Sequence, residues 1–137
     1  MESCLFCKIA NKEIKADVVY EDEAAMAVLD IHPRSLGHIF IIPKKHAGSL
    51  LDLEEAQIAP VFSAVKKTAV LIKEKTGADG LSIGINTGRA GGQDVDHLHI
   101  HIIPRFLNDG GGSIQSVVNN IPSEEEREKI RDILAKK

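Results

Sequence analysis

The sequence has no long hydrophobic run. No apolar stretch approaches the roughly 18 residues that a membrane-spanning helix needs. Glu2, Lys8, Lys12, Glu13 and Lys15 break up residues 1–15, where a secretory leader would place its apolar core. The expectation is an unprocessed cytoplasmic protein with no membrane partner. Cysteine is also scarce, with only Cys4 and Cys7. A structural disulfide across that spacing would close a tiny loop in a reducing compartment, which leaves a metal site or a redox pair. Nor is there an excess of positive charge. Lys and Arg total 17 against 20 Asp and Glu, a net charge of -3, which excludes a broad nucleic-acid or membrane surface. Internal repeats and linkers are lacking, and Gly110-Gly111-Gly112 is the one low-complexity patch.

What is present suits one globular domain. The chain has 137 residues, 43% apolar and 27% charged, enough to build a core. Residues 4–14 read as a short helix or turn. Val18–Glu21 and Ala25–Asp30 read as strands joined near Asp22-Glu23, and Ile39–Ile42 as a strand that Pro43 ends. Asp52 and Glu55 resemble a capping box ahead of a long helix carrying Ile58, Val61, Phe62, Val65 and Ile72, with Gly77 as its stop. Pro60 predicts either a kink or a later start. Leu81–Asn86 and Leu98–Ile103 read as the fourth and fifth strands, the last closed by Pro104. Ser123 and Glu126 cap a charged helix over 124–135. The order predicts an α+β fold with an antiparallel sheet and one main helix on a face.

Three of the six histidines fall in one short run, His97-Leu98-His99-Ile100-His101. Strand alternation puts His97, His99 and His101 on one face, neighbours about 6.5 Å apart, and Leu98, Ile100 and Ile102 on the other. The apolar face belongs to the core and the histidine face to a cleft. Three readings are open: a solvated polar strand face, a metal-hydrolase site in which His-x-His grips one zinc, or a nucleophilic imidazole flanked by helpers. Cys4 and Cys7 add two soft ligands. A closed Cys₂His₂ zinc site can take His97 and one distant histidine, leaving His99 and His101 for chemistry. The redox reading of the cysteine pair lacks a thioredoxin-like βαβ context.

The run His97-Leu98-His99-Ile100-His101-Ile102-Ile103 resembles the motif of the histidine triad (HIT) superfamily of nucleotide hydrolases and transferases. The resemblance covers about residues 4–107. It includes Leu29-Asp30-Ile31-His32-Pro33, the block from Gly37-His38 to His46, Asn86-Thr87-Gly88, and Gly91-Gly92-Gln93. The N-terminal Cys-x-x-Cys is similar to that of zinc-binding bacterial members. The resemblance implies a five-stranded antiparallel sheet with one long and one short helix, joined in a homodimer into ten strands. It implies a single domain over 1–137, with 108–137 a C-terminal tail ending in a helix.

By the same resemblance, His99 is the nucleophile that attacks an α-phosphorus and forms a nucleotidyl-imidazole, with His101, His38 and Asn86 in support. Asp30 would hold the ribose hydroxyls. Gly92 and Gln93 would approach the phosphate, and Leu5, Phe6, Ile9, Val28 and Ile31 would line the base pocket. Ile9 and Val28 read equally well as core. Cys4, Cys7, His46 and His97 would hold a structural Zn²⁺. The implied substrate is a purine nucleotide derivative, its leaving group an amine or a phosphate. His32 reads as a surface histidine. One departure stands out: where many relatives place Ser or Thr after the Gly-Gln pair, this chain has Asp94, and a carboxylate there repels phosphate.

Overall fold

A computed structural model describes residues 3–136. Helix α1 (Leu5–Ala10) leads into β1 (Val18–Glu21), β2 (Ala25–Leu29) and β3 (Ile39–Pro43). After a 3₁₀ turn at Leu50–Asp52 come α2 (Glu55–Thr76), β4 (Gly80–Gly84), a second turn at Arg89–Gly91, and β5 (Ile100–Arg105). A third turn (Ile114–Val117) and α3 (Glu124–Ala135) complete the chain. The five strands form one antiparallel sheet in the order β1-β2-β3-β5-β4.

Alternation along the strands divides the core. Ala25, Ala27, Ile39, Ile41, Ile100 and Ile102 face α2 and meet Val61, Ala64, Val65, Ala69 and Ile72. Met26, Val28, Phe40 and Ile42 face the other way, where α1 lays Phe6, Ile9 and Ala10 over them. Burying each of the large aliphatic side chains contributes about 1.5–3 kcal/mol.

Several boundaries differ from the sequence reading. The capping box is built from Ser49 and Asp52 on the 3₁₀ turn, whereas α2 starts after Glu54 with no side-chain cap. Asp52 is already committed to the turn and cannot cap α2. The long helix runs through Pro60, starting at Glu55. Pro60 is exposed and lies in the second turn, so the ring removes only the bond to the Ala56 carbonyl. Pro43 is the last residue of β3, as expected, whereas Pro104 lies inside β5, which runs on to Arg105. Pro104 sits past Ile102, the last residue of β5 paired with β3, so only its β4 side must be served. The fourth strand ends at Gly84, leaving Ile85 and Asn86 outside it. Gly77 ends α2 in the left-handed conformation, at φ 70°. The Ser123–Glu126 capping box opens α3, none of whose residues is buried.

Candidate active site and metal centre

The histidine run enters the sheet obliquely. His97 lies in a bend, the Leu98 N–H donates to the Ala47 carbonyl at 2.7 Å, and only from Ile100 is the chain part of β5. The side chains still alternate. Leu98, Ile100 and Ile102 enter the α2 side of the core. The three imidazoles border a stacked aromatic pair, Phe6 and Phe40, whose ring centroids are 4.9 Å apart. The expectation of three histidines facing one cleft needs correcting. His97 is 0% exposed and His99 6%, while the His101 side chain keeps 22%.

Backbone groups decide which imidazole nitrogen carries the proton. His99 Nδ1 lies 2.8 Å from the His97 carbonyl oxygen. A carbonyl only accepts, so Nδ1 donates, and in the neutral ring the lone pair is on Nε2. The Arg34 backbone N–H donates to His38 Nδ1 at 3.0 Å. The neutral His38 proton is therefore on Nε2, which donates to His101 Nδ1 at 2.9 Å. This leaves His101 with Nε2–H as its outer group. Burial pushes both His38 and His101 below the usual imidazole value. For His101, His99 and His38 push the same way, against Asp30 and Asp94; for His38, Asp30 opposes and Arg34 adds. The relay is thus built from neutral rings at pH 7.

Asp30 closes this group from the end of β2. Its Oδ1 accepts from the His32 N–H at 2.8 Å, and its Oδ2 lies 3.5 Å from His38 Nε2 and 3.9 Å from His101 Nδ1. Asp30, His38 and His101 are close enough to suggest a ligand set. The Arg34 N–H, however, occupies the lone pair of His38 and forces its proton inward, so these three form a hydrogen-bonded chain.

Cys4, Cys7, His46 and His97 form the second cluster, their donor atoms all within 4.8 Å of one another. α1 supplies both sulfurs, Cys4 as N-cap and Cys7 in its first turn. His97 Nε2 donates to the Pro43 carbonyl at 2.9 Å, which turns the Nδ1 lone pair into the cluster. Burial pushes the His97 imidazole down to about 4, with His46 and His99 adding and the Pro43 carbonyl opposing, so the ring is neutral as a ligand must be. His97 Nδ1 lies 3.3 Å from Cys4 Sγ, 3.5 Å from Cys7 Sγ and 3.1 Å from His46 Nδ1. Cys7 Sγ lies 3.2 Å from His46 Nδ1. Vertices of a zinc tetrahedron with bonds of about 2.0–2.3 Å are roughly 3.3–3.8 Å apart. The donor set and its spacing fit a closed four-ligand site. His97 belongs to both clusters, its ring in one and its carbonyl holding His99 in the other.

The glycine loop arrives ahead of the histidines. Gly88 (φ 74°) and Gly92 (φ 94°) adopt backbone conformations that side chains resist, and the exposed Asn86 packs over Gly92. Gln93 closes the loop. Its side chain is buried, donating to the Gly48 and Val95 carbonyls and accepting from the Gly88 N–H. Only its backbone is left to offer. Of the expected base pocket, Ile9 and Val28 are packed in the core, Phe6 is 7% exposed beneath the histidines, Leu5 is partly open, and Ile31 is 84% exposed. His32 is exposed. Asp94 projects into solvent, yet its Oδ1 lies 3.9 Å from His99 Nε2.

Sequence reasoning missed the Arg34 N–H, the carbonyls of Pro43 and His97, and Phe40. The first three are backbone groups, with no signal in residue type. Phe40 stands in the Gly37–His46 block, in strand alternation with the core residues Ile39 and Ile41.

Fold and geometry define a protein built around one imidazole whose outer nitrogen is left free, beside a Cys₂His₂ cluster. The chain belongs to the HIT domain family, whose profile matches residues 11–108. It is 44% identical over 128 residues to an uncharacterised HIT-like protein of Methanocaldococcus jannaschii, covering 93% of this chain and 98% of that one. It is 39% identical over 103 residues to a Schizosaccharomyces pombe protein named adenosine 5'-monophosphoramidase, covering 75% of this chain and 74% of the other. A crystal structure of a zinc-bound histidine triad family protein from Mycobacterium smegmatis superposes with a TM-score of 0.75 at 35% identity, covering 98% of this chain and 94% of that one.

Proposed function

We propose that the protein is a nucleotide hydrolase or transferase that cleaves a purine nucleoside 5'-phosphate derivative at the α-phosphorus, through a nucleotidyl intermediate on His99. The observation that carries this reading is the hydrogen bond from His99 Nδ1 to the His97 carbonyl at 2.8 Å. It holds the tautomer in which the Nε2 lone pair is available for attack, and dividing one displacement into two lowers each barrier. The relay from Arg34 through His38 supports a role for His101 Nε2–H as donor to a phosphoryl oxygen or the departing atom. Asp30 keeps acceptor sites for ribose hydroxyls, since each carboxylate oxygen can take two hydrogen bonds. Asn86 and the backbone of Gly92 and Gln93 flank the phosphate position, and Phe6 and Ile31 border the base. The naming of the S. pombe relative as an adenosine 5'-monophosphoramidase supports an adenosine nucleotide as substrate.

Cys4, Cys7, His46 and His97 would hold Zn²⁺, as the zinc-bound M. smegmatis neighbour suggests. Four protein ligands leave no position for water, so the metal would be structural and bind the N-terminal helix to the histidine run. The rival reading, a zinc hydrolase using His97 and His99 together, meets a geometric objection: His99 Nδ1 and His97 Nε2 are committed to backbone carbonyls, and His97 Nδ1 faces Cys4, Cys7 and His46. A nucleotide-binding regulatory protein is the second rival. We further propose a single domain with a C-terminal tail from residue 108. A homodimer would join sheets through a free edge strand, β1 and β4 being the two edges. The two free cysteines support a reducing cytoplasmic setting, and the net charge of -3 supports no nucleic-acid partner.

The test is intact-protein mass spectrometry after incubating wild type and His101→Ala with adenosine 5'-phosphoramidate, quenched without acid. The expected result is an adenylyl adduct mapping to His99, accumulating in the variant. Binding without any covalent adduct supports the regulatory reading instead.

A further inference from the structure

We infer that Asp94 selects the leaving group, favouring departing amines over departing phosphates. This rests on the reading of His99 as nucleophile and names the substrate class within it. Asp94 Oδ1 lies 3.9 Å from His99 Nε2, too far for a hydrogen bond but beside the position from which that nitrogen attacks. A phosphorus in attack position stands about 3–3.5 Å from Nε2. Its substituents therefore come within a few ångströms of the carboxylate. Among the described residues, no lysine or arginine pairs with Asp94; Arg89, the cation of the same loop, reaches Asp96 instead at 3.7 Å. The negative charge at the mouth is uncompensated.

The two carboxylates approach the histidine pair from different ends. Asp30 comes from β2 to His101, and Asp94 from the glycine loop to His99. The group that departs leaves opposite His99 Nε2, out of contact with Asp94 but within the ~8–10 Å over which an exposed charge acts. The two candidate substrates differ in charge at that point. In a phosphoramidate, the lone pair of His99 Nε2 forms the new N–P bond as the P–N bond to the amine breaks. The bonding pair returns to the amine nitrogen, which takes its proton from solvent and leaves, while His101 Nε2–H donates a hydrogen bond to a phosphoryl oxygen. Water then attacks the same phosphorus, releases a proton to solvent, and the bond to His99 breaks, giving nucleoside monophosphate. A departing amine gains positive character as it is protonated, which a carboxylate stabilises. A departing polyphosphate carries several negative charges, which the carboxylate repels. At so exposed a side chain, 85% accessible, each unit of charge should change the rate by about three- to tenfold, and salt should reduce the effect.

The test compares kcat/KM for adenosine 5'-phosphoramidate and for diadenosine tetraphosphate in wild type, Asp94→Asn and Asp94→Glu, at low and high ionic strength. The expected result is an amine-to-phosphate ratio about tenfold lower in Asp94→Asn, mainly through faster polyphosphate cleavage, and restored in Asp94→Glu. Added salt should compress the wild-type ratio and leave that of Asp94→Asn unchanged, a response that a merely structural role would not produce. An unchanged ratio in Asp94→Asn, with turnover of both substrates still abolished by His99→Ala, overturns the role of Asp94 alone. Turnover that survives His99→Ala overturns the nucleophile reading, and the role of Asp94 with it.

Discussion

The two faces of the sheet are made by the same strands and do different work. Toward α2 the strands present Ala25, Ala27, Ile39, Ile41, Ile100 and Ile102, a hydrocarbon layer closed by a 22-residue helix. Toward α1 they present Met26, Val28, Phe40 and His101, covered only by a six-residue helix. A short cover leaves room for a site. The difference teaches that stability and chemistry are separated by one residue of register: Phe40 supports imidazoles while Ile41 fills the core.

Three experiments test that separation. The largest effect is expected from His99→Ala, which should lower turnover by at least about a thousandfold while leaving the melting temperature nearly unchanged, read by steady-state assay and calorimetry. A comparable loss of fold would mean that the faces are not separable. Ile41→Ala should act in reverse. It removes a fully buried side chain facing α2, should cost about 2–5 kcal/mol in urea unfolding, and should leave the activity of the folded fraction intact at low temperature. A cost below about 1 kcal/mol would show that this layer is not the stabilising one. The third effect is smaller. Stripping metal with a strong chelator, or Cys4→Ala, should lower the melting temperature by roughly 5–10 °C. Activity per folded molecule should fall only a few-fold, since His97 anchors His99 through its carbonyl. Activity that vanishes with the fold intact, and changes rate with another divalent ion, would place the metal in the chemistry.

Much of this was legible in the sequence, and the failures share a cause. The five strands, the Gly77 stop and the Ser123 cap follow from local chemistry, alternation and turn residues. Asp52 misleads as an α2 cap because it can serve two partners in sequence and only one in space. Pro104 reads as a strand end because the pairing partners that excuse its missing N–H lie far away in the chain. The histidine positions were plain, but the tautomers were not: they are set by the Arg34 N–H and by the carbonyls of Pro43 and His97. That the loop can offer backbone to a ligand is legible in its glycines, whereas the burial of the Gln93 amide, which completes the loop's own hydrogen bonding, is not.

The Cys₂His₂ cluster joins residues separated by most of the domain, Cys4 and His97 being 93 positions apart. During synthesis from the N-terminus, both thiols emerge first and wait for nearly the whole domain before their last partner exists. At about 5–20 residues per second the wait lasts several seconds or more. Closing so long a span carries an entropic cost that only an assembled sheet can offset. The cluster therefore forms late, after β3 and β5 have paired and brought His46 and His97 together. A metal held by these four residues would then report a completed fold.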